Sequence, residues 1–116
     1  MPRQVLTLDL KDDAVVDRYR EYHRRVPVEV LDSLRDAGVI GMQIFLLGRR
    51  LVMIVETAEG ADLRRAFETR VASHPRVADW ETLMTSLQQR APGAAEGEWW
   101  AAMEPVFDFS GPAPRA

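Results

Sequence analysis

Two apolar runs rich in branched residues, at positions 40–47 and 51–57, stand on either side of Gly48-Arg49-Arg50. Nothing else in the chain restricts its fold as strongly. Each run has the length of a strand, and a glycine opening so short a connection supplies the backbone freedom of a tight hairpin. A two-stranded hairpin is marginal in water on its own. The remaining segments must therefore extend it into a sheet and cover its apolar face.

Those segments carry the right periodicities. Residues 4–10 alternate, with Val5, Thr7 and Asp9 against Leu6, Leu8 and Leu10, which predicts a first strand with one buried face. Lys11-Asp12-Asp13 reads as a turn whose aspartate can cap a helix. Val15, Tyr19, His23, Val26, Val30 and Leu34 follow at spacings of three and four, the inward stripe of an amphipathic helix. Pro27 bends or restarts that helix, and Gly38 ends it. After the hairpin, residues 61–72 predict a helix with Leu63, Ala66, Phe67 and Val71 inward. Ser73-His74-Pro75 breaks it, and Pro75 opens a second helix whose stripe is Val77, Trp80, Met84 and Leu87. A loop at 91–97 and a final strand at 100–109 complete the order, and residues 110–116 form a tail expected to be disordered. Strand, helix, hairpin, helix pair, strand is a β-α-β-β-α-β arrangement, so the expected fold is α+β: a ferredoxin-like four-stranded antiparallel sheet with helices on one face. Residues 1–109 make a single domain. The second sheet face needs a cover, and a second copy of the chain is the expected one, giving a dimeric α+β barrel.

Composition narrows the chemistry. The 116 residues contain no cysteine, which excludes disulfides, a thiolate nucleophile and cysteine-ligated metals. The net charge of −3 comes with interleaved arginines and acids, so no nucleic-acid footprint is expected. No stretch approaches a membrane span and no signal peptide is evident, so the chain reads as soluble and cytoplasmic. The two histidines lie on separate elements, without metal-ligand spacing, and no glycine-rich phosphate loop is present.

Tyr19 and His23, four residues apart, fall on one helix face and can act on one small molecule. Histidine exchanges protons near neutral pH. The plainer reading of His23 is a boundary histidine hydrogen-bonded to a carbonyl, and that of Tyr19 a core aromatic. Tyr22 is expected on a different face. Trp80 is core by default, or else a plate for the apolar face of a sugar, with one N–H donor for a hydroxyl. Met84 is core or pocket wall. Trp100, Gln43, Glu56 and Glu104 lie in strand-like segments; the polar three could hold hydroxyls or simply occupy strand edges.

Several segments together resemble the L-rhamnose mutarotase family and its L-fucose-type relatives. They are Tyr19-Arg20-Glu21-Tyr22-His23, the stretch from Val30-Leu31 to Gly38, and Ile44-Phe45-Leu46-Leu47-Gly48-Arg49-Arg50-Leu51-Val52-Met53-Ile54-Val55-Glu56. Trp80-Glu81-Thr82-Leu83-Met84 and Trp100-Ala101-Ala102-Met103-Glu104-Pro105-Val106-Phe107 follow. The resemblance implies a homodimeric ferredoxin-like fold that interconverts the α and β anomers of a 6-deoxyhexose without cofactor or metal. It implies His23 as the proton-transfer residue and Tyr19 as part of the sugar pocket; Tyr19 is in addition taken as the candidate catalytic partner of His23. It also implies a sugar pocket lined by Trp80, and Met84, Gln43, Glu104 and Trp100 are taken as candidate contacts. Members often carry Val-Trp-Pro-Glu after the histidine where this chain has Val26-Pro27-Val28-Glu29. Rhamnose-type members tend to carry two adjacent tryptophans where this chain has Trp80-Glu81, which leans toward an L-fucose-like substrate. The same scaffold also carries non-catalytic small-molecule binders and cofactor-free monooxygenases, and fold alone does not choose among them.

Overall fold

A computed structural model describes residues 3–109. The expected tail at 110–116 lies outside the described residues. Strand β1 (Arg3–Leu10) is followed by a single 3-10 turn (Asp13–Val15), helix α1 (Val16–His23) and helix α2 (Val28–Asp36). The hairpin is β2 (Val39–Leu47) and β3 (Arg50–Thr57). Helices α3 (Leu63–Val71) and α4 (Pro75–Leu87) come next, then the short strands β4 (Gln88–Gln89) and β5 (Ala101–Ala102). The sheet order is β2-β3-β1-β4, with every pairing antiparallel and β5 also on β1. This is the ferredoxin-like α+β fold.

Local chemistry explains the element ends. Gly48-Arg49 is a two-residue hairpin connection closed by the Leu47–Arg50 pair. Gly48 supplies its positive φ of 61°. Pro27 does not kink one long helix. With φ −57° and ψ 143° it stands outside α2, and its carbonyl accepts from the amides of Val30 and Leu31, so it restarts the chain as a new helix. Asp12 precedes the 3-10 turn but makes no side-chain cap. Asp62 caps α3 by accepting from the Arg65 amide at 3.2 Å. His74 caps α4 through Nδ1, which accepts from the Arg76 amide at 3.0 Å, and Pro75 opens the helix.

The sheet is two-sided in its chemistry. Leu6, Leu8, Leu10, Leu51, Met53 and Val55 are buried beneath the helices. Val15 and Tyr19 come down on them from the first helical segment, and Met84 and Leu87 from α4. Full burial of each such side chain contributes roughly 1.5–3 kcal/mol. The alternate residues, among them Val5, Thr7, Val52 and Ile54, lie on the opposite face and are only half-buried.

The final strand differs from expectation. Only Ala101 and Ala102 of the 100–109 stretch pair with β1, against Thr7 and Leu6. The end of β1 is taken by Gln88 and Gln89. The fourth strand is thus split by a loop, which Arg90 pins by donating to the carbonyls of Ala94, Ala95 and Glu98. Met103 donates its amide to the Val5 carbonyl, and residues 104–109 beyond it belong to no strand. No helix among these residues is long and apolar enough to cross a membrane.

Candidate active site

Helices α1 and α4 bring three rings together over the sheet. Tyr19 and His23, one turn apart on α1, have ring centroids 4.3 Å apart with planes tilted by 33°. The Trp80 ring of α4 meets His23 edge-on at 5.3 Å and 69°. Trp80 also walls a groove of about 410 Å³ with Pro27, Arg76, Asp79 and Leu83. Clefts that hold small molecules run from roughly 300 to 1,000 Å³. Pro27, set aside in the sequence as a helix breaker, is part of this wall.

The hydrogen bonds fix what each group can do. His23 Nδ1 lies 2.8 Å from the Tyr19 carbonyl oxygen. A carbonyl can only accept, so Nδ1 carries a proton, and in the neutral ring Nε2 is the nitrogen with the free lone pair. Tyr19 is 4% exposed. Burial pushes its phenol up to about 12, the charge of Glu81 adds to that rise, and a hydrogen bond with Gln88 opposes it. At neutral pH it is an un-ionised phenol. Gln88 is itself buried, and its Oε1 accepts from Trp99 Nε1 at 2.9 Å.

The remaining candidates separate. Met84 is buried in the core cluster with Tyr19, and Trp100 packs against both core clusters of the sheet, the one around Leu8 and the one around Val55. Gln43 alternates with the core-packing Met42 and Ile44 and pairs with Ile54, so it lies on the sheet face away from the helices. Glu56 shares that face. Glu104 is exposed beyond β5. The structure does not bring Gln43, Glu56 or Glu104 to the three rings. Tyr22 is a correction: three residues from Tyr19, it packs against the same core cluster.

Two participants were not read from the sequence. Arg70, not singled out in the sequence, is among the most buried side chains of α3 and pairs with Glu81 of α4 at 2.8 Å. Gln88, just after the last residue of the stripe read for α4, was not singled out either. No group of three histidine, aspartate or glutamate side chains among the described residues is arranged to hold a metal ion.

Comparison with known proteins places the chain in a family. The family model described as L-rhamnose mutarotase matches residues 3–109. An L-fucose mutarotase of Xanthomonas campestris pv. campestris is 40% identical over 113 residues, covering 95% of this chain and 90% of that protein. A Dictyostelium discoideum protein is 35% identical over 106 residues, covering 88% and 85%. The crystal structure of an L-rhamnose mutarotase from Formosa agariphila superposes with a TM-score of 0.67 at 20% identity, covering 95% of this chain and all of that one. At that identity the superposition speaks for the fold. The family match over all the described residues, with a relative at 40% identity, means that this protein belongs to the L-rhamnose mutarotase family.

Proposed function

We propose that this protein is a cofactor-independent mutarotase for a 6-deoxyhexose, acting on L-fucose in preference to L-rhamnose, in the cytoplasm and as a homodimer. The observation that carries the reading is His23. Its Nδ1 is tied to the Tyr19 carbonyl, which leaves Nε2 as the basic nitrogen beside the Trp80 plate. The preference for L-fucose is supported by Trp80-Glu81 in place of paired tryptophans and by the Xanthomonas L-fucose mutarotase relative.

Mutarotation opens the pyranose and closes it on the other face. His23 Nε2 takes the proton of the anomeric hydroxyl, the bond from C1 to the ring oxygen breaks, and the Tyr19 phenol gives its proton to the departing ring oxygen, to regain it when the ring recloses. C1 becomes an aldehyde, turns about its bond to C2, and is attacked on its other face by the same oxygen as the protons return. Tyr19, a neutral phenol at working pH, is the hydrogen-bond donor at the ring-oxygen end. Trp80 packs against the apolar face of the sugar. Positioned proton transfer contributes typically about 10²–10⁴-fold, enough for a reaction with so low an intrinsic barrier.

Saturation-transfer NMR of L-fucose and L-rhamnose at anomeric equilibrium tests this. The intact protein accelerates exchange between the two anomers. His23→Asn keeps the fold and loses at least 10²-fold of that acceleration. Binding without exchange would make the protein a sugar sensor. Full activity in His23→Asn would remove His23 from the mechanism.

A further inference from the structure

A hydroxyl that gives its proton to a sugar must aim its hydrogen outward and carry the charge left behind. At Tyr19 both demands fall on the group that holds the phenol oxygen, and that group is Gln88. Gln88 opens β4, is 7% exposed and pairs with Leu10 at the sheet edge. A side-chain amide has an oxygen end that accepts and an NH2 end that donates, and its neighbours decide which end faces which. Trp99 decides here. Its indole Nε1 can only donate, and it lies 2.9 Å from Gln88 Oε1. The oxygen end is thereby taken, so the NH2 end serves the hydrogen bond that Gln88 makes with the Tyr19 phenol. In that bond the amide donates and the phenol oxygen accepts. The hydroxyl hydrogen cannot point at a donor, so it is left for the sugar.

The loop that splits the fourth strand delivers Trp99 to this place. The Ala91 amide donates to the Trp99 carbonyl at 2.9 Å, and the Ala95 amide donates to Glu98 Oε1 at 2.8 Å. Arg90 donates to three carbonyls of the same loop. These bonds hold an indole that is itself 38% exposed against a buried amide.

We infer that Gln88 and Trp99 are positioning residues for the acid step: the Trp99 indole fixes the Gln88 amide, whose NH2 donates to the Tyr19 oxygen, aims the hydroxyl hydrogen at the ring oxygen of the sugar and stabilises the phenolate formed on proton transfer. The inference rests on the mutarotase reading. As the bond from C1 to the ring oxygen breaks, the proton passes from Tyr19 to that oxygen and the electron pair stays on the phenol oxygen. A hydrogen bond to that oxygen strengthens as the charge grows, so it acts on the transition state more than on binding. Neither Gln88 nor Trp99 touches the sugar in this account.

Anomer-exchange NMR over a range of L-fucose concentrations tests it on the intact protein. Gln88→Met is close in volume and carries neither a donor for the phenol nor an amide acceptor for the indole. It lowers the maximal exchange rate at least about tenfold and leaves the half-saturating concentration within about threefold. Tyr19→Phe keeps His23 and with it measurable exchange. In that background Gln88→Met changes the rate by less than about twofold, because the group through which Gln88 acts is gone. A purely structural role would lower the rate by the same factor in both backgrounds. That result, or a folded Gln88→Met within about twofold of the wild type, overturns the inference and leaves the mutarotase reading intact. Trp99→Phe decides the matter should Gln88→Met not fold or Tyr19→Phe retain too little exchange to compare. It keeps a ring at an exposed position, removes the N–H, and lowers the maximal rate at least about threefold at unchanged half-saturation. A rate equal to that of the wild type overturns the inference. Absence of exchange with either L-fucose or L-rhamnose in the wild type overturns the mutarotase reading, and this role of Gln88 with it.

Discussion

Tyr19 shows how burial assigns a role to a single side chain. Its phenol is pushed up to about 12, chiefly by burial. The un-ionised form is therefore favoured by folding, and the associated stability is complete below the ordinary tyrosine value near 10. It is lost as pH rises from about 10 through 12, and two units correspond to about 2–3 kcal/mol. The phenolate absorbance of Tyr19, taken as the difference between wild type and Tyr19→Phe, develops near pH 12. A transition near pH 10 in the folded protein would mean that the hydroxyl is solvated and that the packing around it is wrong. The pair with His23 was legible from a spacing of four residues on an apolar stripe. Arg70 and Glu81 were not, because their partnership spans two helices and eleven positions, and a single arginine on a helix reads as surface. Gln88 was hidden for a related reason. Its burial depends on Tyr19 and Trp99 arriving from elsewhere in the fold.

Elements with local causes were the readable ones. The hairpin, the break at Pro27 and the start of α4 at Pro75 each follow from a residue whose own backbone dictates the outcome. The last strand failed that test. Nothing local makes Gln88 and Gln89 a strand; they become one by pairing with Leu10 and Asp9 at the sheet edge. Gly38 is a local cause that can be measured. It follows α2 at φ 92°, and a Cβ there would lie 3.3 Å from that of Ala61. Gly48, at φ 61°, would meet nothing within 4 Å. Gly48→Ala therefore costs only the left-handed backbone penalty, about 1 kcal/mol, whereas Gly38→Ala costs about 2 kcal/mol because the crowding is added. Urea unfolding of the two variants checks the order. Equal losses would mean that the approach of Ala61 relaxes freely.

At the scale of the whole molecule, two apolar surfaces remain uncovered on the single chain. One is the sheet face away from the helices, where Phe45 is 53% exposed among half-buried valines and isoleucine. The other is the segment after β5, where Val106, Phe107 and Phe109 are 89%, 83% and 81% exposed. The segment cannot continue far along its own sheet. It leaves β1 opposite Val5, and β1 begins only two residues before that, at Arg3. The outer edge of β2, at the far side of the sheet, is unpaired among the described residues. Exposed apolar groups of this number are unusual on a stable monomer, whereas a two-fold contact covers both surfaces on both copies at once. Light scattering at micromolar concentration is expected to give twice the 13.1 kDa chain mass. Replacing Val106 and Phe107 together by glutamate shifts the protein toward the monomer and leaves its far-UV circular dichroism unchanged, since neither residue packs in the core of one chain. The three rings of the proposed site come from α1 and α4 of one copy, so the monomeric variant is expected to keep measurable anomer exchange. Complete loss of exchange in a folded monomer would instead mean that the partner completes the sugar site.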